Sequence, residues 1–270
     1  MSFDVFLTHD IDLIHPSMKY RLYTALKFVS KFKFKSAVNR ILKDEPFLNF
    51  KEIMKLEESY GAKSTFFIMG VGYDGIHHFY DVEELEHELG NIIDNEFEIA
   101  LHGGYNSFDN MDAIKSEKSR LEKVINRKVV GYRNHFLRMK IPDTWKILHE
   151  LGFKYDSTFG YRKKVGYRDK KMHPFFPDGI EILEIPLVIM DTALLHYMQL
   201  NLEDAWMECR RLIDIAIENE GVVTILWHNF SFDDIRYTGW GKLYEKILKY
   251  CYNNNAQFMK GEEIYRKYGK

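Results

Sequence analysis

Five stretches of this chain end in side chains able to hold a metal or move a proton. Phe3-Asp4-Val5-Phe6-Leu7-Thr8 is apolar and β-rich and stops at His9-Asp10-Ile11-Asp12, two carboxylates one residue apart. The two-residue period of a strand delivers Asp10 and Asp12 to one side of a pocket. Phe97-Glu98-Ile99-Ala100-Leu101 runs into His102-Gly103-Gly104-Tyr105-Asn106, where paired glycines permit a tight turn or a close approach to a ligand. Val129-Val130-Gly131-Tyr132 leads to Arg133-Asn134-His135-Phe136, Gly152-Phe153-Lys154-Tyr155 to Asp156-Ser157-Thr158, and the run 222–227 to His228-Asn229. Taken singly, each ending has an ordinary explanation, an Asx-turn for an aspartate or a packed ring for a histidine. Taken together they need a common one: parallel strands end on the same face, so these groups should converge there.

The elements that would position them are legible as alternation. Strand-like runs recur at 3–8, 63–69, 97–101, 128–132, 182–188, 222–227 and 256–259. Helix-like segments at 50–60, 82–95, 112–125, 143–151, 202–219 and 242–253 lie between most of them. The pattern predicts an α/β fold, a mainly parallel sheet or barrel with helices outside. Gly61, Gly152 and Gly221 each follow a helical segment, where a left-handed terminating residue is expected. Pro142-Asp143 and Asn201-Leu202-Glu203-Asp204 read as helix starts. No repeat or linker divides the chain, so a single domain over 1–270 is expected.

With 46 % hydrophobic and 29 % charged residues, the composition is that of a folded globular protein and not of a disordered one. A net charge of −2, from 38 basic and 40 acidic residues, gives no reason to expect nucleic acid as a partner. Two cysteines, Cys209 and Cys251, make no disulfide framework and no zinc-knuckle spacing, which fits a reducing compartment. With no leader-like start and no apolar run of membrane-crossing length, a cytoplasmic location is expected. One segment departs from the average. Residues 19–43 hold eight basic residues and no acidic one, interleaved with aromatic and aliphatic residues. We expect a helical insertion at about 14–48 that packs its aromatic side on the barrel; peripheral contact with an anionic membrane, or with a phosphate-bearing substrate, is the alternative.

The order and content of the five endings resemble the polysaccharide deacetylase family (NodB homology, carbohydrate esterase family 4-like), whose five motifs lie along a distorted (β/α)7-type barrel. The resemblance spans most of the chain. It implies Asp10 as general base and Asp12 as metal ligand, from Thr8-His9-Asp10-Ile11-Asp12. In the second motif His102 matches the first of two histidines four residues apart, and Asn106 stands where the second belongs. In the third, Arg133 is followed by His135 where the family has proline; Arg133 would be the cationic partner of the base. Asp156 resembles the aspartate that orders this arginine, and Leu226-Trp227-His228 implies His228 as general acid. Arg168, Pro174 and the run 184–191 resemble a branch associated with surface-polysaccharide synthesis, such as that of lipopolysaccharide O-antigen.

The implied activity is that of a hydrolase of non-peptide carbon–nitrogen bonds. It would remove an N-acetyl or similar acyl group from a sugar, with a divalent metal, zinc before cobalt or nickel. The carbohydrate substrate would be a precursor, nucleotide- or lipid-linked. A catalytic zinc usually keeps three protein ligands, and Asp12 with His102 supplies two; Asn106 and His135 both stand as the third. Two other readings remain: a metal-free hydrolase of another amide or a cyclic ureide, and a non-catalytic carbohydrate-binding relative. Tyr105, Phe136, Trp227 and Phe230 flank the motifs and could face a sugar or simply pack. His77-His78 are expected in an exposed loop, and Arg168 with 172–176 at the rim of the pocket.

Overall fold

A computed structural model of the protein describes residues 2–269. Its frame is a nine-stranded sheet, β1 (Asp4–Ile11), β2 (Thr65–Met69), β3 (Glu98–Gly103), β4 (Gly131–Asn134), β5 (Tyr155–Asp156), β6 (Leu183–Glu184), β7 (Ile189–Met190), β8 (Val222–Leu226) and β9 (Gln257–Phe258). The order is β6-β5-β4-β3-β2-β1-β8-β7, with β9 paired to β1 and every pairing parallel. All eight residues of β1 are buried, as a strand covered on both faces requires.

The sheet curls into a distorted, incomplete barrel with helices outside, the fold class expected. The expected strand 182–188 is instead two short ones, and among the described residues β6 and β7 lie at opposite ends of the sheet order. Pro186, between them, has no N–H for a ladder, and the chain crosses the open side with Leu187 bonded to Phe159 and Val188 to Thr224. Inside, Phe6, Phe67, Ala100, Tyr155 and Leu183 form one apolar cluster closed below by Ile264. Because strand side chains alternate, Phe6 packs in that cluster while Thr8 and Asp10, two and four residues on, reach its upper end.

The outer helices are α1 (Met18–Ser30), α2 (Phe34–Leu42), α3 (Phe50–Glu58), α4 (Glu86–Asp94), α5 (Met111–Ile125), α6 (Asp143–Glu150), α7 (Leu202–Glu218), α8 (Trp240–Asn253) and α9 (Gly261–Tyr268). Asn201 caps α7 by accepting from the N–H groups of Glu203 and Asp204, as the spacing predicts. Gly61 and Gly152 have the left-handed φ expected after a helix, 67° and 75°. After α7 that conformation falls on Glu220 (φ 49°). Gly221 serves a different purpose: a Cβ there would meet the Met172 carbonyl.

Two expectations about packing are corrected. Residues 18–42 form helices, and Tyr20 packs on Phe47, yet Leu26, Phe32 and Leu42 are 68 %, 84 % and 69 % exposed, so most of the large apolar side chains of this segment face away from the barrel. In the stretch 172–176, expected at the rim, Met172 accepts from the N–H of Val222 at the start of β8, the end opposite the strand-end residues, and Phe175 pairs with Glu184 on β6. Arg168 lies over the Phe159 ring and donates to the Gly160 carbonyl.

Candidate active site

At the C-terminal ends of β1, β3, β4 and β8, a cavity of about 250 Å³ is lined by Asp10, Asp12, His102, His135 and His228 among others. Three donor atoms form a nearly equilateral triangle. His102 Nε2 is 3.3 Å from Asp12 Oδ1, His135 Nδ1 is 3.4 Å from the same oxygen, and the two nitrogens are 3.2 Å apart. Ligands held about 2.0–2.1 Å from one ion at tetrahedral angles stand roughly 3.3–3.4 Å from one another. Asp12 Oδ1 is buried and receives no hydrogen bond, an orphan of the kind that a cation would satisfy. The triangle therefore fits a divalent metal with one face open to the cavity. Burial would raise the Asp12 carboxyl, but the rings of His135, His102 and His228 hold it well below the usual carboxylate range.

Each donor is held from behind. His102 Nδ1 donates to the Arg133 carbonyl at 3.0 Å, which leaves Nε2 with its lone pair toward the cavity. Gly103 lets the turn pass because a Cβ there would collide with the Tyr132 hydroxyl. Glu117 accepts from the Gly104 N–H and the Ser107 hydroxyl. His135 owes its position to backbone of an uncommon kind: Phe136 and Leu137 have φ of 58° and 52°. Left-handed conformations at bulky residues cost on the order of 1–3 kcal/mol each, and here they bring His135, Phe136 and Leu137 all to the cavity wall.

Beside the triangle lies a buried ion pair. Arg133 Nη1 donates to Asp10 Oδ1 at 2.8 Å and to the Thr8 hydroxyl at 2.9 Å. Its Nε and Nη2 are taken by the carbonyl and hydroxyl of Ser157, and its plane lies 4.2 Å over the Phe67 ring. The residue that orders the arginine by hydrogen bonds is thus Ser157. Asp156 turns instead to the Thr158 N–H and hydroxyl and faces Glu184 across the β5–β6 ladder. Burial raises Asp156 to about 6, and burial together with the neighbouring carboxylate raises Glu184 well above its ordinary range, as two buried acids side by side require.

On the other side, His228 Nε2 lies 3.6 Å from Asp12 Oδ2, and its Nδ1 is 2.6 Å from Asp191 Oδ1. Asp191 also accepts from the His228 N–H and the Ser231 hydroxyl. Burial disfavours the charged imidazole, but Asp191 beside it, with Asp12 and Asp10 nearby, raises His228 to about 9.

No family model matches the sequence, and no curated protein does. Solved structures do match. A protein of Mycobacterium smegmatis described as a polysaccharide deacetylase aligns over 98 % of this chain and 89 % of its own at 17 % identity and a TM-score of 0.67. One from Pseudomonas aeruginosa PAO1, also described as a polysaccharide deacetylase, covers 100 % and 92 % at 13 % identity and 0.65. The PuuE allantoinase covers 98 % and 89 % at 12 % identity and 0.67. The chain has the polysaccharide deacetylase fold.

Of the residues singled out in the sequence, this polysaccharide deacetylase fold brings Asp10, Asp12, His102, His135 and His228 to one cavity, with Arg133 behind them. It does not bring Asn106, which is exposed in the turn after β3, its amide oxygen accepting from Arg138 Nη1 at 3.1 Å. Phe136 and Phe230 line the cavity; Trp227 is fully buried against Trp240 and Tyr244. His78, expected in the open, is buried, 2.8 Å from Asp74, and accepts from the Tyr105 N–H. Asp191 entered the sequence reading only as the last residue of the run 184–191 that resembles a family branch, with no signal that it would orient a histidine 37 positions on.

Proposed function

We propose that the protein is a metal-dependent hydrolase that removes an N-acetyl or similar acyl group from a carbohydrate. The observation that carries this reading is the Asp12–His102–His135 triangle, set between the Asp10–Arg133 pair and the His228–Asp191 pair. Asp12, His102 and His135 would hold the ion, most suitably zinc with cobalt or nickel as substitutes. A divalent ion there would lower the pKa of a water toward about 7 and polarise the acyl carbonyl.

The chain's own groups account for the proton movements. Asp10 has Oδ1 occupied by Arg133 and Oδ2 directed toward His102, 3.7 Å from its Nε2, so Oδ2 is free to take the proton of the attacking water. As the new carbon–oxygen bond forms and the carbon–nitrogen bond breaks, the nitrogen needs a proton. His228, held through Nδ1 by Asp191, presents Nε2 to the cavity and supplies it. The products are a carboxylate and a free amine. Phe136 and Phe230 at the wall suit the apolar face of a sugar ring. We assign the substrate to precursors of surface polysaccharides such as O-antigen, nucleotide- or lipid-linked, processed in the cytoplasm.

A second reading is favoured by the likeness to an allantoinase at the same TM-score as the best deacetylase match given above: hydrolysis of a cyclic ureide or another amide without metal. Acetate release from a panel of N-acetyl sugar nucleotides, measured before and after chelation, separates the two. Activity lost on chelation and restored by zinc supports the deacetylase. Activity on allantoin that survives chelation replaces it.

A further inference from the structure

The helical pair α1–α2 is built inside out. α1 turns Thr24 and Ala25 inward and leaves Leu22, Leu26 and Val29, spaced i, i+4, i+7, exposed on its outer side. α2 does the same with Phe34, Val38 and Leu42 at i, i+4, i+8, and Phe32 in the turn between them is 84 % exposed. A monomer rarely leaves so many large apolar side chains together in water.

The charge around this surface is of one sign. Arg21 pairs with Glu45, and Arg40 with Asp44 and Asp233. Lys19, Lys31, Lys33, Lys35 and Lys43 are exposed and, among the described residues, form no ion pair. The pair is fixed to the loop that follows β8, whose Phe230 lines the cavity. Tyr20 and Arg40 both bond Asp233, and Lys27 donates to the Ile235 carbonyl, in the segment that directly follows His228.

We propose that α1–α2 is a docking surface for an anionic lipid bilayer. Exposed aliphatic and phenyl groups ringed by unpaired lysines match a layer of acyl chains under anionic headgroups. A second copy of the chain fits worse, because an isologous contact would set the lysine-rich patch against itself. Nucleic acid would call on the lysines but leave the leucines and phenylalanines without a use. The proposal does not rest on the reaction assigned to the cavity.

The test is sedimentation of the full chain with vesicles of phosphatidylcholine alone and with added phosphatidylglycerol. Two double variants accompany it, Leu26→Ser with Phe32→Ser and Lys31→Glu with Lys35→Glu, each confirmed folded by thermal melting. All four positions are exposed. The expected result is binding to the anionic vesicles only, weakened by salt and reduced about tenfold or more in either variant. The proposal is overturned by no binding to either vesicle, by binding that both variants retain, or by a lipid-free dimer that the Leu26/Phe32 variant dissolves. Vesicle binding requires no turnover, so its failure is distinct from failure of the deacetylase reading.

Discussion

The guanidinium of Arg133 places Nη1 2.8 Å from Asp10 Oδ1 while Ser157 holds its other two nitrogens. The proposed base on β1 is therefore positioned by residues at the ends of β4 and β5, across the interior of the barrel. Arg133 is fully buried, and a buried guanidinium is tolerated only with its donors satisfied.

Ser157→Ala should leave one buried donor of Arg133 unsatisfied. It is expected to cost about 1–3 kcal/mol of stability and to lower kcat roughly tenfold or more, as losing support behind a reacting group commonly does. Asp156→Asn should leave kcat within about twofold, because Arg133 keeps its bonds. Urea denaturation together with acetate release checks both; equal losses of kcat would return the ordering role to Asp156.

Asp191→Asn should separate turnover from metal binding. The ring of His228 loses the carboxylate that fixes its Nδ1 proton, and kcat is expected to fall on the order of 10–100-fold. Metal content should stay that of the parent, because Asp191 contacts none of the three triangle donors. A parallel loss of metal would show that Asp191 supports the ion site instead.

Glu98, at the far end of the barrel, gives a pH dependence of stability. Burial raises its carboxyl from 4.5 to about 7, while it accepts from the Thr65 and Tyr155 hydroxyls. The folded state thus favours the protonated form, so this contribution is full below about pH 4.5 and is lost as pH rises through about 7. At 1.36 kcal/mol per pKa unit the loss is up to about 3 kcal/mol. Glu98→Gln, fixed in the neutral form, should match the parent at low pH and exceed its stability at about pH 8. Denaturation midpoints at about pH 4 and about pH 8 measure it; a constant difference between the two proteins would contradict the assignment.

Much of the frame was legible because local signals agreed with the fold: buried parallel strands read as apolar runs, and their polar endings share one face. What the sequence left open or misplaced is decided by distant contacts. The family resemblance made Asn106 a candidate ligand beside His102, but Asn106 is exposed in the turn after β3 and Arg138 captures its amide oxygen. His135 depends on two bulky residues in left-handed backbone, which no propensity would suggest. Asp191 matters only because β7 lies beside β8. For 19–43 the aromatic side was expected to meet the barrel, but Phe32 and Phe34 are exposed and Thr24, Ala25 and Ala37 face inward.

The most direct test of the central claim is metal content by elemental analysis, on protein reconstituted with zinc and dialysed, for the parent, His102→Ala, His135→Ala and Asn106→Ala. Near one equivalent is expected in the parent and in Asn106→Ala. The two histidine variants should lose the ion, with affinity lowered at least about 100-fold, and should lose acetate release with it. A parent that takes up no metal yet turns over substrate, or a His135→Ala protein that binds zinc as the parent does, would contradict the account.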